Sequence, residues 1–173
     1  MSSKRTGNIR RRFPMLGVTL LFVGIVLINN GACQLLKVDK KSTAALNVIV
    51  GFLLTFINFV AIYKGDYYAA GTGLLFAFTY LFVAANNIFN LNLKPYGIYS
   101  LFVAINTIPC AMLVASDDMR MTVIWIAWGI LWFTGFIEGT LQKNLGKFVP
   151  YLAIVEGILT AWIPGFLMLA GKW

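Results

Sequence analysis

Three tryptophans, Trp125, Trp128 and Trp132, stand at i, i+3 and i+7 and share one face of a helix. Seven residues at 1.5 Å rise cover roughly 10 Å. Tryptophan usually sits at a membrane interface, and three indoles over that depth cannot all share one. A deep stripe of flat rings could line a path for a small, flat, polar solute. Ring faces accept weak N–H contacts, and indole N–H and phenol O–H groups offer stronger ones. Phe76 and Tyr80, at i and i+4, could form an opposing wall, with Leu131 beside the stripe. Leu16, Leu20, Val23 and Leu27 follow i, i+4, i+7 and i+11 and lead to Asn30. Taken alone, the Trp stripe fits helix packing as well as a pore, and the other faces fit packing better, so both readings stay open at this point.

Two carboxylates lie in apolar stretches, Glu138 near a span end and Glu156 deep within Ala153-Ile-Val-Glu-Gly157. A charge in the bilayer costs on the order of 3 kcal/mol, so both must face protein or water. Each is either a solute-binding or relay group or a hydrogen bond between helices or subunits. Asn29, Asn30, Asn86, Asn87 and Asn106 read as interhelical glue. The chain has no histidine, which removes the usual metal ligand and near-neutral pH switch. Cys33 and Cys110 form no CxxC pattern and read as two unpaired buried thiols. No nucleotide, dinucleotide or zinc motif occurs, and no nucleophile–base pair. No cofactor, metal, nucleic-acid partner or enzymatic activity is therefore expected.

The elements that hold these residues must be membrane helices. The 173 residues are 60% hydrophobic and 12% charged, with mean hydropathy +0.80, too apolar for a soluble domain. At about 20 apolar residues per span, the runs predict six: 15–36, 42–63, 71–93, 96–115, 121–141 and 148–170. The breaks are short, so neighbouring helices should form antiparallel hairpins. Pro95 and Pro150 suit helix starts, while Pro109 and Pro164 should kink their spans. Leu21-Phe-Val…Asn29-Asn30…Lys37 is echoed by Leu81-Phe-Val…Asn86-Asn87…Lys94, and more faintly around Glu138…Lys143. A buried-looking polar residue follows each: Asn47, Asn106 and Glu156. The predicted fold is an all-α integral membrane protein, a two-helix hairpin repeated three times around a central pore.

Lysines concentrate at one set of loops, Lys37–Lys41, Lys94 and Lys143–Lys147. The positive-inside rule puts those hairpin tips in the cytoplasm and both termini outside. Residues 1–14 contradict this with five Lys and Arg, without which the net charge falls from +8 to +3. They are read as a disordered basic extension: a cytoplasmic anchor, a tag or, the favoured reading, an unused upstream start with Met15 the working one. The channel domain is then 15–173.

Met15-Leu-Gly-Val-Thr-Leu-Leu-Phe-Val-Gly-Ile-Val-Leu-Ile-Asn-Asn-Gly31, Gly73-Leu-Leu-Phe-Ala-Phe-Thr-Tyr80, Tyr99–Pro109, Trp125–Trp132 and Leu145–Pro164 together resemble the UreI/AmiS family of bacterial urea and short-chain amide channels. The resemblance implies a homo-hexameric ring with a lipid-filled centre in the bacterial inner membrane, each protomer carrying its own path. It implies constrictions built from Phe76, Tyr80, Trp125, Trp128, Leu131 and Trp132, and a lining of Leu16, Leu20, Val23, Leu27, Asn30 and Glu156. It also implies a functional link to a cytoplasmic urease or amidase. Acid-gated members of the family carry histidines in long outer loops. Here those loops are Tyr63-Lys-Gly-Asp-Tyr-Tyr68 and Ser116-Asp-Asp-Met-Arg120, and Met121 replaces a further Trp. The expected function is passive conduction of urea, with short-chain amides and water as further permeants, without acid gating. The alternatives are a proton-coupled amide transporter with Glu156 as carrier and a non-transporting scaffold.

Overall fold

The computed structural model describes residues 15–173 in full; the expected disordered extension over residues 1–14 lies outside these. Six helices are long and apolar enough to cross a membrane: α1 (Met15–Leu35), α2 (Lys40–Tyr63), α3 (Tyr67–Phe89), α4 (Lys94–Val114), α5 (Met119–Gly139) and α6 (Phe148–Leu169). The protein is an all-helical, six-span membrane protein. Five spans fall within two residues of their predicted ends. The third begins and ends four residues earlier than predicted. Its start is set by Asp66, whose carboxylate accepts from the Ala69 backbone N–H at 3.3 Å, so Tyr67 and Tyr68 join the first turn. Its end is set by Asn90, in the left-handed region at φ 52°, with its N–H bonded to the Asn86 carbonyl.

Aspartates cap two further helices. Asp39 accepts from Ser42 N at 2.9 Å, and Asp118 accepts from Arg120 N and Met121 N at 3.0 and 3.2 Å. The bonds from Ser42 hold the Asp39 carboxyl below the usual carboxylate range. The two internal prolines behave differently. Around Pro109, α4 runs on as α-helix without a break. Ahead of Pro164, residues Gly157–Trp162 of α6 widen into π-helical turns, the local adjustment expected where a ring displaces an i−4 bond.

The helices close into a ring in sequence order, α6 returning to α1, with tight and loose seams alternating. The tight pairs are α2 with α3, α4 with α5, and α1 with α6. The tight seams do not coincide with the repeated hairpins, whose helices are joined at the lysine-bearing tips. Within the repeated units, α1–α2, α3–α4 and α5–α6, the helices touch far less. The cause is glycine. Gly17, Gly24 and Gly31, spaced seven residues apart, form a ridge on α1 facing α6. A Cβ on Gly24 would lie 2.7 Å from the Trp162 backbone nitrogen. Gly157 and Gly165 meet the same ridge from α6 at Gly24 and Gly17. Without a hydrophobic drive between helices in lipid, close backbone approach at small residues supplies the packing.

Candidate functional site: an aromatic plug above a polar cavity

One buried cluster occupies the ring interior. It joins Leu20, Val23 and Val26 of α1 to Leu54 of α2, Phe76 and Tyr80 of α3, Val103 of α4 and all three stripe tryptophans of α5. All three indoles are buried in this cluster and meet Phe76. Phe76 meets Trp128 and Trp132 edge-on at 4.8 and 4.7 Å between ring centroids, and Trp125 at 6.1 Å. Trp125 and Trp128 are themselves T-shaped at 5.1 Å. Such edge-to-face contacts are worth about 1 kcal/mol each beyond their burial. No solute fits between rings at these separations, so the cluster is a plug in this conformation.

A cavity of about 500 Å³ starts at the plug and runs to the lysine-bearing tips. Phe76, Tyr80, Trp128, Leu131 and Trp132 form its closed end, and Lys37, Lys40 and Leu91 its rim. Between them the wall is polar as well as apolar, with Asn30, Thr79, Asn86, Asn87, Tyr96, Thr134 and Glu138. At roughly 30 Å³ per water this space holds on the order of ten waters or several small amides. On the other side of the plug the described aliphatic side chains are packed. Leu20 and Val23 are 1% and 0% exposed, and Leu16 packs against the same cluster.

The predicted site residues thus divide. Leu27 and Asn30 line the cavity with five of the six constriction residues. Trp125 stands behind Trp128 and Phe76 without lining it. Leu20 and Val23 fill the opposite half. Glu156 is buried at the start of the π-helical turns and is not in the cavity wall; its Oε2 has no hydrogen-bond partner among the described residues. Glu138 lines the rim and accepts from Leu145 N at 3.1 Å through Oε1, holding the α5–α6 loop.

Two expectations need correction. The indole N–H groups of Trp128 and Trp132 are not free for a solute carbonyl. Trp128 Nε1 donates to Thr160 Oγ1 at 2.9 Å and Trp132 Nε1 to Thr79 Oγ1 at 3.1 Å. Each threonine hydroxyl in turn donates a hydrogen bond to a helix carbonyl, Thr160 to Glu156 O at 2.6 Å and Thr79 to Leu75 O at 2.7 Å. Both indoles are pinned in orientation, whereas Phe76 is held by packing alone. Asn106, expected as buried glue, is half-buried and donates to its own helix at Phe102 O, 2.8 Å. Sequence reasoning missed Thr79 and Thr160. The only signal for Thr79 was its place at i+3 from Phe76, on the aromatic face. For Thr160 there was none.

A closed ring of membrane helices, with a polar cavity stopped by pinned aromatic rings, defines the class: a membrane channel or transporter. The comparisons with known proteins give the family. The chain belongs to the AmiS/UreI family of transporters, which it matches over residues 15–172, and it is accordingly not an enzyme. It is 47% identical to the acid-activated urea channel of Helicobacter pylori, over 92% of this chain and 100% of that protein. That alignment runs over 194 positions, more than this chain's 173, so the relative carries segments absent here. It is 38% identical to a putative amidate substrates transporter protein of Mycolicibacterium smegmatis, over 91% of this chain and 78% of that protein. The cryo-EM structure of the Helicobacter pylori urea channel in its closed state superposes with TM-score 0.86 at 49% identity, covering 91% of this chain and 99% of that one.

Proposed function

We propose that the protein is a passive pore for urea and short-chain amides. The observation that carries this is the plug. Pinned indoles and one unpinned ring, Phe76, separate a polar cavity from a packed aliphatic half, in a chain similar along its length to a urea channel. A small flat solute passes when Phe76 swings aside, while the fixed indoles keep the gap narrow. Desolvating an amide without partners costs several kcal/mol. Tyr80 and Trp125, whose O–H and N–H groups have no hydrogen bond among the described residues, offset part of that cost. Weak successive contacts let the solute leave as readily as it enters. An apolar gap also breaks chains of water, which limits proton leak.

Conduction in this reading is independent of acid. The chain has no histidine, and the turns opposite the tips are only residues 64–66 and 115–118. Urea flux into proteoliposomes is expected to change less than twofold between pH 5 and pH 7.5. A several-fold rise at pH 5 overturns acid independence, and flux no faster than through bare lipid overturns the pore.

The lysine-rich tips support placing the cavity mouth in the cytoplasm of a bacterial inner membrane, where a urease or amidase would consume the solute. A homo-hexameric ring is supported by the outward faces. Phe52, Phe56 and Phe59 form an exposed i, i+4, i+7 stripe on α2, and a half-buried Asn106 amide in mid-span suits a protein neighbour better than lipid. The mass of the purified assembly tests this. One observation keeps proton coupling in view, the unpartnered buried Oε2 of Glu156. Uphill amide uptake driven by a pH gradient and lost in Glu156→Gln would replace the passive reading.

A further inference from the structure

The second repeat places two asparagines in the cavity wall whose side chains find no hydrogen-bond partner among the described residues. Asn86 is 4% exposed, and both its Nδ2 and Oδ1 are buried without a hydrogen-bond partner among the described residues. Asn87, beside it, also lines the cavity and makes no side-chain hydrogen bond among those residues. In the first repeat the equivalent Asn30 exchanges two bonds with Asn47, at 2.9 and 2.7 Å. The residue that would answer to Asn47 is Asn106, which turns outward to Phe102 O. Asn87 is thereby released from packing duty, and beside it stands the unpartnered Asn86. Asn86 lies seven residues, roughly 10 Å, beyond Thr79, the anchor of the Trp132 indole.

We propose that Asn86 is a hydrogen-bonding subsite for the permeating solute, taking the amide end of urea or a primary carboxamide as it clears the plug. A carboxamide offers one acceptor and two donors, and urea offers one acceptor and four donors, so the two can exchange a pair of N–H···O=C bonds along one edge. Water meets the same groups singly, so the side chain discriminates between solutes by rewarding two-point partners. The subsite repays desolvation on the cavity side of the apolar gap. An aliphatic residue in its place would leave urea crossing Phe76 into a wall that returns fewer of its hydrogen bonds. The proposal deepens the urea and amide reading given above and rests on it.

The test measures urea flux and osmotic water permeability in the same proteoliposomes, for wild type and Asn86→Leu. Removing an unpaired buried polar group is near neutral for folding, so the variant should match or exceed wild type in thermal midpoint. Urea flux is expected to fall at least fivefold, with water permeability within twofold of wild type. Asn86→Ser, which keeps one donor and one acceptor, should recover part of the urea flux and also serves if Asn86→Leu does not assemble. Equal loss of urea and water flux would mark Asn86 as structural and overturn the subsite. So would unchanged urea flux in a wild type that conducts. A wild type that passes urea and acetamide no faster than lipid overturns the underlying reading, and the subsite with it.

Discussion

Asn29-Asn30 and Asn86-Asn87 occupy equivalent places in two repeats and do opposite things. Asn30, seven residues before Lys37, is locked to Asn47, which also donates to the Thr43 carbonyl at 3.0 Å. The side chains of Asn87, seven residues before Lys94, and of its neighbour Asn86 bind no protein group among the described residues. One pair bridges the loose seam between α1 and α2; the other belongs to the cavity. The same residue type serves as adhesive where a partner helix supplies a second amide and as a free wall group where the partner turns away. Repetition in sequence therefore fixes position around the ring, but not role.

The comparison is broken most strongly at the closed pair. Asn47→Leu strands the Asn30 amide, and a lost pairing of this kind costs about 2 kcal/mol. A fall of several degrees in the thermal midpoint of the detergent-solubilised protein is expected. Adding Asn30→Leu should restore most of it, since both polar partners are then gone; the double-mutant cycle measures the coupling. Asn86→Leu should show no such loss, which is the sharpest contrast between the two repeats. A smaller effect is expected at the plug. Thr79→Val frees the Trp132 indole, and the ratio of thiourea to urea flux should rise a few-fold as the ring gains rotational freedom. An unchanged ratio would mean that packing alone orients Trp132. The smallest effect, less than twofold, is that of pH on urea flux.

Much of the architecture could be read before the structure. Six spans follow from apolar length, and the Trp125–Trp132 stripe does face Phe76. The third span slipped because hydropathy sees tyrosines 67 and 68 as boundary residues, whereas the helix start is set by a single carboxylate at Asp66. Which seams are tight was not legible, for a related reason. Short tips suggested hairpins, but the close seams follow small side chains, and the Gly17–Gly24–Gly31 ridge carries no hydrophobic signal at all. The threonine anchors were invisible because they lie 53 and 32 residues from their indoles. Only the ring closure brings them together. Asn106 misled because burial in a span is not burial in the protein.

That ring closure also sets a timetable. The glycine ridge of the first helix finds its mate only in the last, so during synthesis the wall stays open until α6 has entered the membrane. Thr160, which fixes Trp128, arrives with that same helix. A chain ended before Phe148 would leave a five-helix crescent with its Gly24 edge bare and one indole unanchored. Selectivity is in this sense the final act of biogenesis: the nascent protein has a cavity wall before it has a filter.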